Sequence, residues 1–337
     1  MDKCWHTWRG TSFLERSQLM QNLASLLKSK KEELARLMAH EMGKVLREGI
    51  AEIEKCAWVC DYYATNAENF LEREFIAAGY SKSYVSYQPM GTILAVMPWN
   101  FPFWQVFRFA APTIMAGNTA ALKHASNVPG CALAIEGLFH EAGFPEDVFR
   151  TLLIGSDQVE KVIRHPAIKA VSLTGSTPAG KNVAALAGNV LKKCVLELGG
   201  SDPYLIMKDA DLELAARTCA TGRLVNAGQS CIGAKRFIVE EEVYAGFLEH
   251  FTHEMVSAHF GDPCDPEVTM GPLARVDLRD ELHQQVSRSL HKGAEVIIGG
   301  EIPHREGAFY PPTVLENIQP GIDRKSTRLN SSHRYVS

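Results

Sequence analysis

From Met90 to Glu197, short apolar runs alternate with helix-patterned stretches, and this alternation limits the possible fold more than any other feature of the chain. The strand candidates are Thr92 to Met97, Thr119 to Lys123, Thr151 to Ile154, Ala170 to Thr174 and Cys194 to Glu197. Between them, Val128 to Glu141 and Gly180 to Leu191 carry helical spacing. Strands that are apolar along their length are buried on both faces, and helices between them supply the cover. The pattern therefore predicts an α/β fold with a parallel sheet. Ligands of such sheets bind at the carboxyl ends of the strands, which is where Asn100, Lys123, Gly175, Ser176 and Glu197 fall. A second α/β set begins near Ser201, with strands near Tyr204 to Met207, Phe237 to Val239 and Glu295 to Ile298 and helices from Leu212, Val243 and Asp277. The expected domains are thus 1–198 and 199–322.

Ahead of the sheet, Phe13 to about Leu71 is helical in pattern, with Leu19, Leu23, Leu26, Leu27, Leu34 and Leu37 at three- and four-residue steps. Ser81 to Gln88 alternates with period two and reads as an exposed strand or arm, a feature that normally seeks a partner chain. The formal charge of -4 offers no basic face for nucleic acid or anionic lipid, so a small molecule is the expected partner. No apolar run reaches membrane-spanning length and the N-terminus lacks a signal-peptide core, which predicts a cytoplasmic protein. The 8 cysteines form neither a disulfide framework nor a set with metal-ligand spacing. Cys56 and Cys60 share a helix face and read as core. From Asp323 the chain loses hydrophobic period and, back-translated, matches a frame of a sequencing-library adapter. Residues 323–337 are expected not to be native; a disordered polar tail is the alternative.

One cysteine does not read as core. Cys231 lies in Asn226-Ala227-Gly228-Gln229-Ser230-Cys231-Ile232-Gly233, among small residues that leave a thiol accessible. Glu197, at the end of an apolar strand before two glycines, is expected to emerge into a cleft with its carboxyl pKa raised. Alone it equally describes a glutamate flanking a turn, as Asn100 describes a turn residue before Pro102. Leu173 to Gly180 closes a strand and opens a helix, a context that suits a pyrophosphate at a helix N-terminus. It also suits a plain capping turn. Nucleophile, base and amide donor are the parts that covalent chemistry at a carbonyl needs.

Taken together and in this order, these motifs resemble those of the NAD(P)-dependent aldehyde dehydrogenase superfamily over roughly residues 5 to 322. Gly91 to Cys131, Leu191 to Asp211, Lys235 to Val239 and Met270 to Val286 most resemble bacterial succinate-semialdehyde dehydrogenases. The resemblance implies a Rossmann-like cofactor domain, a second α/β catalytic domain and an oligomerisation arm at about 81–89, with a homo-oligomer for the full-length protein. It makes Cys231 the nucleophile, Glu197 the general base and Asn100 the oxyanion donor. It assigns Trp99, Asn100, Lys123, Ser126, Gly175, Ser176 and Leu198 to the cofactor, NAD or NADP. Ser126 stands where many NAD-preferring members carry glutamate, which permits NADP. Arg108 matches an arginine that helps to bind the substrate carboxylate. Val225 stands where a second such arginine is expected, with Arg223 nearby as a replacement or a surface arginine.

The resemblance also implies a longer protein, so that this chain is expected to be truncated at both ends, poorly soluble and inactive as it stands. Three functions therefore remain open at the level of sequence. They are oxidation of an aldehyde, succinic semialdehyde or another, to the acid; a catalytically incompetent fragment of such an enzyme; and a thiol hydrolase without cofactor.

Overall fold

The computed structural model describes residues 1–318 and the backbone of 334–336. The expectation for 323–337 otherwise lies outside the described residues. Four helices open the chain: α1 (Asp2–Trp8), α2 (Phe13–Ser29), α3 (Lys31–Met42) and α4 (Leu46–Phe70). Helix α2 starts where it does because Ser12 and Glu15 form a reciprocal cap, Ser12 Oγ accepting from Glu15 N–H at 3.2 Å and Glu15 Oε2 accepting from Ser12 N–H at 2.7 Å.

Next comes a two-stranded antiparallel hairpin, β1 (Glu74–Phe75) with β2 (Tyr84–Val85). The expected arm is thus paired with an upstream strand that the sequence reading missed. Its aromatic residues face outward: Phe75 is 66% and Tyr84 42% exposed, with their rings 5.8 Å apart.

The five-stranded sheet follows, from β3 (Thr92–Met97), β4 (Thr119–His124), β5 (Phe149–Thr151), β6 (Ile168–Gly175) and β7 (Lys193–Leu198). Every pairing is parallel and the spatial order is β5-β4-β3-β6-β7. The connecting helices are α5 (Trp104–Met115), α6 (Pro129–Glu141), α7 (Val159–Arg164) and α8 (Thr177–Asn189). On one side stack Phe107, Phe139 and Phe149, with the last two rings 4.4 Å apart and nearly parallel. This stack explains a correction: the strand expected at Thr151 to Ile154 runs instead over Phe149–Thr151, because Phe149 is core whereas Leu153 is 63% exposed.

The second set holds β8 (Pro203–Ile206), α9 (Leu212–Leu224), β9 (Arg236–Val239), α10 (Tyr244–Val256), α11 (Val276–Leu290), β10 (Glu295–Ile298) and β11 (Val314–Glu316). Strands β8 and β9 are parallel; β12 (Arg334–Val336) runs antiparallel to β9, and β10 pairs antiparallel with β11. Phe237, Phe247 and Phe251 centre this core.

The chain divides into two compact units: Met1–Glu41 with Gly49–Leu198, and Met42–Glu48 with Gly199–Ser337. The short segment Met42–Glu48 is held in the second unit by Leu46 N–H donating to Pro263 O at 3.1 Å and by a close backbone approach at Gly43 and Gly271. Among the described residues, no helix is long and apolar enough to cross a membrane and no cluster of ligating side chains could hold a metal ion.

Candidate active site

In the first unit, the winding direction of the sheet reverses between β3 and β6. From β3 the chain steps outward through β4 to β5, then returns to place β6 on the opposite flank. Loops on the two sides of such a reversal diverge and leave a crevice at the carboxyl ends of the strands. Trp99 and Asn100 follow β3, Lys123 is the penultimate residue of β4, Gly175 ends β6, and Glu197 and Leu198 end β7. Ser126 lies exposed in the turn after β4. The sheet therefore brings the predicted residues of this unit to one edge.

Two buried groups that the sequence reading missed shape the Asn100 turn. Glu52, 5% exposed on α4, accepts from the backbone N–H groups of Phe103 and Trp104, each at 2.9 Å, and so satisfies donors at the start of α5. His124, 5% exposed, reaches the same turn from the end of β4. Its Nδ1 accepts from Ala125 N–H at 2.9 Å, so the ring proton sits on Nε2 and is donated to Pro102 O at 2.9 Å. Asn100 is tied to its own turn, Oδ1 accepting from Phe101 N–H at 3.2 Å.

Burial holds the His124 pKa below its ordinary value, so the fold keeps the ring neutral. The unfolded chain binds a proton that the folded chain refuses once pH falls below about 6.5. Stability contributed by the neutral ring is present above that pH and declines as pH falls. The slope from this group is at most about 1.4 kcal/mol per pH unit. Thermal melts from pH 7.5 to 5 should show His124→Gln with a shallower acid decline than the parent; identical slopes would remove His124 from that role.

The crevice residues suit a dinucleotide. Ser176 caps α8, its Oγ accepting from Ala179 N–H at 3.4 Å, so the strand-to-helix turn offers the amide-rich N-terminus that anions prefer. Gly180 lets α8 lie close to the sheet, since a Cβ there would sit 2.5 Å from Leu198 Cδ2. Lys123 is half-buried and desolvation pulls its pKa down, a cost that an oxygen ligand such as a ribose hydroxyl or phosphate would offset. No carboxylate occupies position 126 to repel a 2′-phosphate.

Glu197 differs from expectation. Strand β7 is the sheet edge and alternates outward and inward, so Lys193, Val195 and Glu197 face out. The Glu197 side chain is 57% exposed, with Oε2 3.9 Å from Arg108 Nη1. The carboxylate is thus more exposed than its place at the end of an apolar strand suggested. Arg108 also donates from Nη2 to Thr174 Oγ1 at 3.3 Å, which places its guanidinium at the carboxyl ends of β6 and β7.

In the second unit, Cys231 is half-buried and follows an unusual turn. Asn226, Ala227 and Gly228 all have left-handed backbone, with φ of 54°, 53° and 75°. Glycine and asparagine tolerate this conformation, whereas an alanine pays about 1–2 kcal/mol. Contacts from Glu48, Gln229 and Arg223 hold the turn. Asn226 N–H lies 3.1 Å from both carboxylate oxygens of Glu48. Gln229 closes onto Asn226 O with its backbone N–H at 3.0 Å and its Nε2 at 3.1 Å, while its Oε1 accepts from Ala274 N–H at 3.0 Å. Arg223 donates from Nη1 to Gly228 O at 3.3 Å. Its guanidinium is wedged beneath the turn, and burial pulls its pKa down; it is not a surface arginine. Val225 begins the same turn.

Cys56, Cys60, Cys131 and Cys219 are buried, unlike Cys231. Cys56 and Cys60 are both fully buried on α4, as their spacing predicts, and burial raises the Cys60 thiol pKa far above the ordinary range. Cys219 is pushed up to about 11 by the same cause.

Comparison with known proteins agrees with this architecture. A family model described as "Aldehyde dehydrogenase family" matches residues 2–324. The chain is 46% identical over 316 residues to a probable succinate-semialdehyde dehydrogenase [NADP(+)] of Synechocystis sp., covering 94% of this chain and 70% of that protein. It is 49% identical over 314 residues to a succinate-semialdehyde dehydrogenase [NADP(+)] of Mycobacterium leprae, covering 92% and 69%. The crystal structure of succinic semialdehyde dehydrogenase from Streptococcus pyogenes in complex with NADP+ superposes with a TM-score of 0.91 at 38% identity, covering 93% of this chain and 69% of that one.

Proposed function

The chain belongs to the aldehyde dehydrogenase family, and from that premise we propose that it oxidises succinic semialdehyde to the dicarboxylic acid with NADP+ as the hydride acceptor. The reading rests above all on the gathering of Asn100, Lys123, Gly175, Ser176 and Glu197 at the carboxyl edge of one parallel sheet. A thiol hydrolase has no use for such an edge. The names of the relatives support the substrate and the cofactor, and the absence of a carboxylate at Ser126 is compatible with NADP+.

In this mechanism the Cys231 thiolate attacks the aldehyde carbon and forms a thiohemiacetal. The developing oxyanion accepts hydrogen bonds from the Asn100 side-chain amide and the Cys231 backbone N–H, donors worth roughly 3 to 4 kcal/mol each in comparable sites. The bound nicotinamide supplies the hydride acceptor. Trp99, Lys123, Ser126, Gly175, Ser176 and Leu198 hold and orient the dinucleotide. Loss of hydride leaves a thioester on Cys231, and Glu197 takes a proton from the water that hydrolyses it. Exposure suits Glu197 to this task, because its carboxylate can reach water. The cytoplasm is the proposed compartment, and a homo-oligomer joined through the β1–β2 hairpin the proposed assembly.

Arg108 is assigned to the substrate carboxylate. A charged hydrogen bond of this kind contributes about 1.5–3 kcal/mol, and an uncharged aldehyde forgoes it. Arg108→Ala should therefore raise KM for succinic semialdehyde about 10- to 100-fold while changing that for butanal little. Steady-state NADPH formation with both aldehydes, and with NAD+ in place of NADP+, tests the whole reading. Equal losses on both aldehydes would remove Arg108 from carboxylate recognition. Val225 favours a second reading, a broader aldehyde range, which a butanal efficiency matching that of succinic semialdehyde would establish.

A further inference from the structure

We propose that Glu48 is a positioning residue that holds the Cys231 turn in its left-handed conformation and thereby sets the reactivity of the thiol; the inference rests on Cys231 being the nucleophile. Glu48 comes from the first turn of α4, 178 positions before its partner, and belongs to the segment Met42–Glu48 that packs in the second unit. Its carboxylate meets the N–H of the first of three consecutive left-handed residues. An N–H between two carboxylate oxygens is held by a charged acceptor, and a charged hydrogen bond is stronger than the neutral amide contacts elsewhere in the turn.

The position of this contact is what matters. Left-handed backbone at Asn226, Ala227 and Gly228 reverses the chain just after α9 and delivers Ser230 and Cys231 to their places. Ala227 does not adopt that conformation of its own accord. Gln229 ties the turn to itself and to Ala274, and Arg223 holds its far end at Gly228 O. Glu48 holds the N–H at the point where the left-handed run begins. Without an acceptor there, Asn226 and Ala227 return toward right-handed backbone and Cys231 turns with them.

The test compares alkylation of Cys231 by iodoacetamide with that of Cys264, a half-buried thiol of the same unit that serves as an internal reference. Rates are read by peptide mass spectrometry on the intact chain. Glu48→Ala should lower the Cys231-to-Cys264 rate ratio about tenfold or more, whereas Glu48→Gln, which keeps an acceptor oxygen, should stay within about threefold of the parent. Adding Ala227→Gly to Glu48→Ala should recover about fivefold, because glycine takes left-handed backbone without steric cost. A purely structural role would not produce that rescue. Where Glu48→Ala alone fails to fold, the double variant and Glu48→Gln carry the comparison. A ratio in Glu48→Ala within twofold of the parent, or a double variant no better than the single one, overturns the proposal. Parallel assays of NADPH formation separate the two readings. A parent in which Cys231→Ala leaves turnover intact defeats the functional assignment, while the alkylation ratio still decides the role of Glu48.

Discussion

Cys231→Ala is expected to abolish aldehyde-dependent NADPH formation, a fall of at least about 10⁴-fold, because no other route to the covalent intermediate exists once the nucleophile is removed. Glu197→Gln should behave differently. Its amide cannot accept a proton from water, but the thiol still attacks the aldehyde, so the variant should release a burst of NADPH equal to the Cys231 thiols present and then turn over about 10²- to 10⁴-fold more slowly. Rapid-mixing absorbance distinguishes the two variants. A Glu197→Gln protein without a burst would place Glu197 in acylation and defeat its assignment as the base for hydrolysis. The exposure of Glu197 makes this comparison clean, since replacing a 57% exposed side chain on an edge strand disturbs little packing.

Gly271→Ala is expected to cost more than about 3 kcal/mol, the range of substitutions that force atoms into occupied space. A Cβ at this position would fall 1.9 Å from Gly43 O, and backbone cannot step aside as a side-chain end can. The contact joins Met42–Glu48 to the body of the second unit, so its rupture should also release Glu48 from Asn226. All 5 tryptophans lie in the first unit and leave a separate baseline there. Hydrogen exchange should rise more than about 100-fold in Arg236–Val239, with tryptophan fluorescence close to that of the parent. Unchanged exchange in β9 would mean that the backbone at Gly43 relaxes at little cost.

Elements defined by their own composition were legible in the sequence. Thr92–Met97 is apolar after Thr92 and buried apart from Val96, Thr119–His124 carries a buried run at Ala120 to Leu122, Ile168–Gly175 buries Ala170, Val171 and Leu173, and Lys193–Leu198 turns Cys194, Leu196 and Leu198 inward. The residues at their carboxyl ends could be placed because strand ends in a parallel sheet are where ligands bind. The hairpin strand Glu74–Phe75 is too short to show a period. Glu52 and His124 gave no signal because each acts on backbone atoms far along the chain, 51 positions away from Phe103 and 22 from Pro102. Glu48 was hidden for the same reason, within what reads as continuous helix. The outward face of Glu197 followed from β7 being the sheet edge, a property of strand order that no local pattern carries.

The pairing of β3 with β6 has a kinetic consequence. Thr92 through Val96 line up beside Ile168 through Leu173, strands separated by β4, β5 and three helices. Parallel pairings across such spans form late, because the intervening chain must close before the contact rewards it. The crevice beside Asn100 and Ser176 is bordered by these two strands, so it comes into being with that last closure. Cofactor affinity during refolding should therefore appear in one step with completion of the sheet, and a nascent chain halted before β6 should already be rich in helix yet blind to the dinucleotide.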